Sequence, residues 1–379
     1  MNLLAIAFLL AMAISLALTP GVGLLALKAK VVDVPRGDRH AHERPVPLLG
    51  GLAIFIAFAA TVFMRVGVTG WVMGLLIGSS FIMAVGIIDD VKELKPIPKF
   101  LGQTVGAVIM VAMGVRMEFV SNPFGGIIQM GWLSYPFSVV WILSFVNAIN
   151  LIDGLDGLAS GVVGIGSLSL GIIAFTKGYI DVALLSVILA GSCFGFLWHN
   201  FNPAQIFMGD TGALFIGSAM GGISAAGAIK GPATLTIAVP VVILGVAVVD
   251  TLLAIVRRTA NRTSIGTGDY DHFHYWLRKK GLSVRGAVLT IYALTIVLSV
   301  TAYLISRQES TPIGWFMAFS ALVLLIIGGA FAGMIKFRKF SEWIARRRGQ
   351  SYEEDNGGVR DQAGHDKDDA GAGGDPQAS

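Results

Sequence analysis

Acidic and amide side chains recur at short, regular spacings in three stretches of an otherwise apolar chain. Asp89 and Asp90 form an adjacent pair, and Asp210 lies in the stretch Phe-Met-Gly-Asp-Thr-Gly that ends at Gly212. The third set is spaced by three residues and comprises Asn147, Asn150, Asp153 and Asp156. Oxygen atoms of this kind bind hard cations or accept protons, so the sequence favours chemistry on phosphate groups.

The spacing of three predicts that all four members of the third set lie on adjacent turns of one helical face. Gly154 and Gly157 allow a substrate or a neighbouring backbone to approach closely. No Lys or Arg occurs between Arg116 and Lys177, so these carboxylates have no cation nearby in the sequence. Unpaired acids at membrane depth usually mark a functional site, which we expect here.

The ends of two apolar runs place the other acids in opposite electrostatic settings. Asp89 and Asp90 end one run, where negative charges oppose the helix dipole, so helix stability does not explain them. The alternative is a solvated helix end with Lys92 and Lys95 as counter-ions. Asp210 begins another run, where free N–H groups attract anions. It suits a phosphate or metal-phosphate site, with an ordinary helix cap as the alternative.

A basic loop in the last third of the chain adds imidazoles. It contains Arg257 and Arg262 among its cations and carries His272 and His274. Arginine binds phosphate through paired donors, which suits a diphosphate, although the usual excess of cations in cytoplasmic loops explains most of them. The i, i+2 spacing of the histidines predicts a loop or a strand. Asp250, inside the preceding apolar run, has either a structural hydrogen bond or a functional role.

Composition places this chemistry in a membrane. Of the 379 residues, 54% are hydrophobic and 14% are charged, and the mean hydropathy is +0.73. Soluble domains carry about 25% charged residues. Apolar runs of roughly 17 to 25 residues, long enough to cross a bilayer as helices, recur along the chain. The predicted fold is all-α with about eleven transmembrane helices at 3–27, 48–64, 71–88, 101–115, 134–150, 161–176, 180–197, 212–229, 234–256, 287–306 and 312–333.

Charge asymmetry predicts the orientation and the domain boundaries. All but five of the 28 Lys and Arg residues fall in one alternate set of loops and in the tail, the exceptions being Arg65, Arg116, Lys177, Lys230 and Arg307. Cytoplasmic loops retain basic residues, so the N-terminus is predicted outside, and the C-terminus and the acids inside. We expect a membrane domain over 1–334, a basic amphipathic segment over 335–350 and a disordered acidic tail over 351–379.

Other features limit the class of protein. The lone Cys193 excludes a disulfide framework or a thiolate metal site. The Gly-x-x-x-x-Gly-Lys-Ser/Thr sequence is absent, which argues against an ATP-driven pump. No nucleic-acid partner is expected, and the Pro and Gly residues of 122–128 predict a small hairpin. A transporter of an anionic metabolite is the alternative from another class, but it would need more polar residues on the outer half.

At these residues the sequence resembles the polyprenyl-phosphate N-acetylhexosamine-1-phosphate transferase family, over about residues 28–290. The similar motifs are 32–47 with Gly50-Gly51, Asp89-Asp90 with 98–103, 147–159 and 207–212. Residues 271–277 resemble the His-x-His-His sequence of the members that use UDP-N-acetylglucosamine, except that Tyr275 replaces the last histidine.

The resemblance implies transfer of an N-acetylhexosamine 1-phosphate, preferably N-acetylglucosamine 1-phosphate, from a UDP-sugar to polyprenyl (undecaprenyl) phosphate. UMP would be released, and the product would start a cell-envelope polysaccharide. The implied catalytic residues are Asp89, Asp90, Asp156, His272 and His274. The implied substrate-binding residues are His42, Lys99, Asn147, Asn150, Asp153 and Phe207, the last by stacking on uracil. The implied ligands of Mg²⁺ or Mn²⁺ are Asp210, Asp153 and Asp156.

The implied partners are the polyprenyl phosphate lipid, a UDP-N-acetylhexosamine and the bacterial inner membrane, with the site facing the cytoplasm. Asp89 would activate or orient the lipid phosphate. Three points stay open at this stage. The donor could be another UDP-N-acetyl sugar, the mechanism could be direct or could pass through a covalent aspartyl intermediate, and a homodimer is not excluded.

Overall fold

Helices make up most of the described chain, because a backbone in lipid must satisfy its hydrogen bonds internally. The computed structural model describes residues 2–34, 45–68, 70–121, 127–227, 234–261, 272–307, 316–321 and 323–324. All of them belong to one compact unit, Met1–Lys336. The helices are α1 (Asn2–Lys28), α2 (Gly51–Arg65), α3 (Trp71–Lys92), α4 (Pro96–Ala112), α5 (Ser134–Ile152), α6 (Leu158–Thr176), α7 (Ile180–Asn200), α8 (Gly209–Gly227), α9 (Thr234–Ile243), α10 (Gly245–Asn261), α11 (Phe273–Lys279) and α12 (Val284–Ser306).

Six helices in the described part of the chain are long and apolar enough to cross a membrane. They are α1, α3, α6, α7, α12 and α5 with the 3₁₀ turn before it. The helices α2 and α4 and the Gly245–Ile255 part of α10 are also apolar but shorter. These helices confirm the predicted all-α membrane fold. The total of eleven spans and the orientation stay predictions.

The predicted ninth span, 234–256, stays a prediction, but it is not one uninterrupted helix. This stretch contains two helices, α9 and α10, which are separated at Leu244. Pro240 lies inside α9 and weakens the helix before the break, because proline has no amide hydrogen and its ring crowds the preceding turn. In the predicted eleventh span, 316–321 and 323–324 are helical. The predicted segments 335–350 and 351–379 lie outside the described residues.

Two short antiparallel ribbons accompany the helices. In the first, β1 (Val32–Asp33) pairs with β2 (Val46–Pro47). In the second, β3 (Phe119–Ser121) pairs with β4 (Ile127–Gln129). The second ribbon confirms the hairpin predicted around residues 122–128. The first ribbon joins the two described ends of the loop between α1 and α2.

The helix α8 lies at the centre of the unit. Every residue from Thr211 to Ala226 is buried, and α8 packs against α2, α3, α5 and α7. Its many Gly, Ala and Ser residues allow neighbouring backbones to approach closely, as they do in other membrane helix bundles. The first turn of α8, which contains Asp210, is therefore held between neighbouring helices.

Candidate functional site

Lys99 joins two acids that are far apart in the sequence. Asp89 lies in the last turn of α3, Lys99 in the first turn of α4 and Asp210 in the first turn of α8. The Lys99 Nζ atom is 2.8 Å from Asp89 Oδ2 and 2.6 Å from Asp210 Oδ2. The amide of Leu94 donates a 2.6 Å hydrogen bond to Asp89 Oδ1. The ammonium therefore offsets both the repulsion between the two acids and the unfavourable dipole at the end of α3.

Asp90 holds the first turn of α8. Its Oδ1 accepts a 2.8 Å hydrogen bond from the Asp210 amide, and its Oδ2 accepts bonds of 3.0 Å and 2.6 Å from the Thr211 amide and hydroxyl. A carboxylate is favoured at a helix N-terminus by the free N–H groups and by the dipole. Gly209 has φ +69°, and a Cβ there would lie 2.5 Å from Asp90 Oδ2. Asp90 and Gly209 thus fix the position of Asp210.

The two asparagines of α5 reach this cluster from a fourth helix. Asn150 Nδ2 donates a hydrogen bond to Asp210 Oδ1. One turn earlier, Asn147 Nδ2 donates to Gln103 Oε1 at 3.3 Å and to the Leu143 carbonyl at 2.8 Å. Asn150 therefore contacts the acids directly, whereas Asn147 links α5 to α4 beside them.

The prediction that Asp153 and Asp156 continue the helical face of the two asparagines is wrong. The helix α5 ends at Ile152, and both acids lie in the turn that precedes α6. Gly157 has φ +79°, a left-handed conformation that a regular helix does not contain. The turn therefore presents the two acids from a loop instead of from a helix.

Asp153 and Asp156 have different surroundings. Asp156 Oδ2 accepts hydrogen bonds from Asn202 Nδ2 at 2.9 Å and from a backbone amide at 3.0 Å. The pKa of Asp153 is raised to about 8, first by desolvation and then by the negative charges of Asp210 and Asp90. Burial away from water is the larger cause, and at neutral pH the Asp153 carboxyl is therefore mainly protonated.

Asp250, whose role the sequence left open, anchors the histidine stretch. Its Oδ2 accepts a 3.0 Å hydrogen bond from His272 Nδ1, and its Oδ1 accepts one of 3.0 Å from the Phe273 amide. Both paired side chains are buried. The prediction of a loop or strand at the histidines is wrong for His274, because α11 begins at Phe273. The extended backbone of His272 before this helix brings the two imidazole rings parallel, with centroids 5.8 Å apart.

His274 packs against the turn that carries Asp153. A side chain at Gly154 would overlap His274 Nε2, so glycine permits this contact. Burial lowers the pKa of His274 to about 4, although the charge of Asp250 opposes the shift. The imidazole is therefore neutral near pH 7, and its Nε2 is among the buried atoms of the described residues that have no hydrogen-bond partner. Contact of either histidine with phosphate or sugar stays a prediction.

Phe207 lies beside the loop that connects α1 and α2. Its amide donates to the Pro47 carbonyl at 2.9 Å, and its carbonyl accepts from the Gly50 amide at 3.0 Å. The motif of residues 32–47 with Gly50-Gly51 and the motif of residues 207–212 are thus neighbours at the start of α8. The Phe207 side chain is half-buried, and its stacking on uracil stays a prediction. The predicted substrate-binding residue His42 lies outside the described residues.

Two asparagines that the sequence did not single out support the turn between α5 and α6. Asn200 Oδ1 accepts a 3.0 Å hydrogen bond from the Gly157 amide. Asn202 donates to Asp156, and its carbonyl accepts a 2.8 Å bond from Arg285 Nε. The sequence feature that could have indicated these two residues is the polar stretch His-Asn-Phe-Asn at 199–202, which lies between two apolar runs.

The donor set of this cluster fits a hard divalent cation such as Mg²⁺ or Mn²⁺, because its atoms are carboxylate and amide oxygens. That Asp153, Asp156 and Asp210 would hold the ion stays a prediction. Within the described ranges, no three His, Cys, Asp or Glu side chains are already arranged to surround one.

Comparison with known proteins finds relatives that align with most of the chain. Residues 72–228 match the model of glycosyl transferase family 4. A probable undecaprenyl-phosphate N-acetylglucosaminyl 1-phosphate transferase of Bacillus subtilis is 37% identical over 345 residues, which cover 90% of this chain and 96% of the relative. A decaprenyl-phosphate N-acetylglucosaminephosphotransferase of Mycolicibacterium smegmatis is 37% identical, over 72% of this chain and 75% of the relative.

A more distant relative is the phospho-N-acetylmuramoyl-pentapeptide-transferase of Desulforudis audaxviator, which is 33% identical over 69% of this chain and 85% of its own length. The matched family segment extends from the start of α3 to the end of α8, so it contains Asp89, Lys99, Asn150 and Asp210. The apolar helices and these relatives together support an integral membrane protein.

Proposed function

Because the chain belongs to glycosyl transferase family 4, we propose that it transfers N-acetylglucosamine 1-phosphate from UDP-N-acetylglucosamine to polyprenyl phosphate and releases UMP. The observation that carries this proposal is the joining of Asp89, Lys99 and Asp210 from three helices at one end of the bundle. The names of the two most similar relatives described above support N-acetylglucosamine as the sugar. They support a transferase over a metabolite transporter.

In the proposed reaction, an oxygen of the lipid phosphate attacks the β-phosphorus of the UDP-sugar. The bond between that phosphorus and the bridging oxygen breaks, and the electron pair leaves with UMP. A lipid phosphate that is already ionised needs no base, so the acids are needed for positioning and charge. A bound Mg²⁺ would neutralise charge that develops on the diphosphate.

The chain's own residues then have distinct tasks. Asp89 orients the lipid phosphate next to the donor. Asp90 caps α8 and so fixes Asp210, and Asn150 holds one Asp210 oxygen through its amide. The turn between α5 and α6 places Asp153 near Asp210 and Asp90, whose charges raise the pKa of its carboxyl. Positioning of this kind supplies much of the rate enhancement in phosphoryl transfer.

We further propose that the site faces the cytoplasm of a bacterial inner membrane, where UDP-sugars are made. The distribution of Lys and Arg over alternate loops supports this orientation. A cysteine scan with a membrane-impermeant thiol reagent on intact cells measures it. We expect labelling at exposed positions near the β3–β4 ribbon and protection near the start of α4.

The experiment that tests the function measures UMP release by purified protein with Mg²⁺, undecaprenyl phosphate and UDP-N-acetylglucosamine. Asp210→Asn should reduce the rate by roughly 100-fold or more, as the loss of a charged group at the reaction centre does in other enzymes. Glu118→Gln is a matched control, because it neutralises an acid near the opposite end of α4.

Three outcomes are informative. Uptake of the nucleotide into liposomes without UMP release would favour a transporter over the transferase. Full activity of Asp210→Asn would remove the metal role of Asp210. Mass spectrometry of the lipid product, with competing UDP-sugars in the reaction, identifies the sugar that is transferred.

A further inference from the structure

The Lys99 ammonium occupies the point between two carboxylates that a bridging cation would take. It lies within 2.6 to 2.8 Å of one oxygen from Asp89 and one from Asp210. These distances are typical of strong charge-assisted hydrogen bonds. A divalent ion such as Mg²⁺ would approach the same oxygens to about 2.0 to 2.1 Å. At Asp210 the ammonium and a divalent ion therefore need the same carboxylate.

The remaining oxygens of these two acids are also engaged by the protein. Asp89 Oδ1 accepts from the Leu94 amide, and Asp210 Oδ1 accepts from Asn150 Nδ2. The described residues contain no ready-made group of three metal-binding side chains. A divalent ion that binds Asp210 would therefore share this carboxylate with the ammonium, and two cations at one carboxylate repel each other.

We propose that Lys99 is a built-in counter-ion that competes with the divalent cation for Asp210. This inference rests on the proposed function, because it assigns a metal to the same site. When the cation binds, the ammonium leaves the carboxylates on its flexible four-carbon stem and becomes available to the phosphate groups of the donor. Lysine suits such an exchange because it acts as a compact point charge without fixed paired geometry.

The exchange has a measurable consequence for metal affinity. In the wild-type protein a cation must compete with the short contact between the ammonium and Asp210. In Lys99→Met this competition is lost while the aliphatic stem is largely kept. The variant should therefore bind a divalent cation more tightly than the wild type, although it loses the contacts that Lys99 offers to substrate.

The test titrates Mn²⁺ into purified full-length protein without nucleotide or lipid, and it follows bound Mn²⁺ by electron paramagnetic resonance. Lys99→Met should bind Mn²⁺ at least tenfold more tightly than wild type. Lys95→Met is the matched control, because Lys95 is exposed and directly precedes α4. It removes the same charge but not the bridge, so its Mn²⁺ affinity should stay within twofold of wild type.

A second measurement uses the wild-type protein alone and decides the question if Lys99→Met does not fold. Mn²⁺ should increase the reaction of the Lys99 amine with an acetylating reagent, measured by mass spectrometry, and leave Lys95 unchanged. Unaltered or reduced labelling of Lys99 would overturn the proposal.

The results also separate the two proposals. Equal Mn²⁺ affinity in wild type and Lys99→Met overturns the competition but not the transferase. Absence of binding in both proteins overturns the competition and the metal role together, and UMP release still decides the function.

Discussion

The two ends of α4 both carry ion pairs, but they are assembled in different ways. At the carboxylate end, Lys99 is shared by Asp89 and Asp210, which come from α3 and α8. At the hairpin end, next to β3 and β4, Arg116 pairs with Glu118 only two residues away. The second pair depends only on the local course of the chain. The first requires three helices to be packed before its charges meet.

The side chains at the carboxylate end are also less exposed to solvent than those at the hairpin end. Asp89 is 9% exposed and Lys99 18%, whereas Arg116 and Glu118 are 30% and 36% exposed. Arg116 also contacts the ring and the hydroxyl of Tyr135, as cations commonly do at an aromatic surface. Water can replace most of what the hairpin end provides. Water cannot replace the contacts of the less exposed ion pairs at the carboxylate end in the same way. The concentration of acids there is therefore better explained by function than by stability.

The largest effect on activity is expected when a methyl group is added to Gly209, which lies next to the carboxylate end. In Gly209→Ala the new Cβ would lie 2.5 Å from Asp90 Oδ2, so either Asp90 or the first turn of α8 must move. UMP release should fall by about 100-fold, since displacements of roughly 1 Å have this effect on aligned groups. The measurement is the initial rate at saturating substrates.

Gly178→Ala is the control for that variant. Gly178 lies between α6 and α7 with φ +81°, and a Cβ there meets nothing within 4 Å. Both substitutions incur the strain of a left-handed conformation, about 1 kcal/mol. Only Gly209→Ala also collides with Asp90. Equal losses of activity in the two variants would mean that strain, and not the position of Asp90, explains the effect.

A smaller difference between the two ends is expected in the free energy of unfolding when the cation of each end is removed by substitution. Lys99→Met leaves two acids without their shared partner, and we expect the free energy of unfolding to fall by about 2 to 3 kcal/mol. This figure lies below that of a fully buried pair because Asp210 is 27% exposed. Arg116→Met should cost about 1 kcal/mol or less, as surface pairs do.

Reversible unfolding of the purified variants in mixed detergent micelles measures both values. A larger loss in Arg116→Met than in Lys99→Met would contradict the difference in burial. Restoration of the Lys99→Met stability by Asp89→Asn would show that repulsion between acids causes the loss.

The parts of the structure that follow from local chemistry were predicted correctly. Hydropathy located most of the helices, because a lipid environment leaves a helix as the means to satisfy the backbone. The position of Asp210 at the start of α8 followed from its place at the beginning of an apolar run. The β3–β4 ribbon followed from the Pro and Gly residues between its strands. Each of these depends on residues that are neighbours in the sequence.

The parts that were missed depend on contacts between distant residues. The turn at Asp153 was read as helix because spacing alone does not reveal that Gly157 is left-handed. The sequence leaves the role of Asp250 open because its partner His272 lies 22 residues further along the chain. The role of Lys99 as a bridge depends on the packing of α3 against both α4 and α8, and the spacing of residues in the sequence does not reveal that packing.

The smallest predicted effect concerns the buried imidazole next to the carboxylate end. The pKa of His274 in the folded protein is about 4, below its ordinary value of 6.5, so the unfolded chain binds a proton more readily in between. The contribution of the neutral His274 imidazole to the free energy of unfolding is therefore fully present above pH 6.5. It is lost as the pH falls towards 4. From pH 6.5 to 5.5 the free energy of unfolding should fall by about 1 kcal/mol more in wild type than in His274→Gln. Thermal unfolding at a series of pH values, compared between the two proteins, gives this difference. Parallel pH profiles would mean that His274 is not held neutral, and the packing of Gly154 against its ring would then need another explanation.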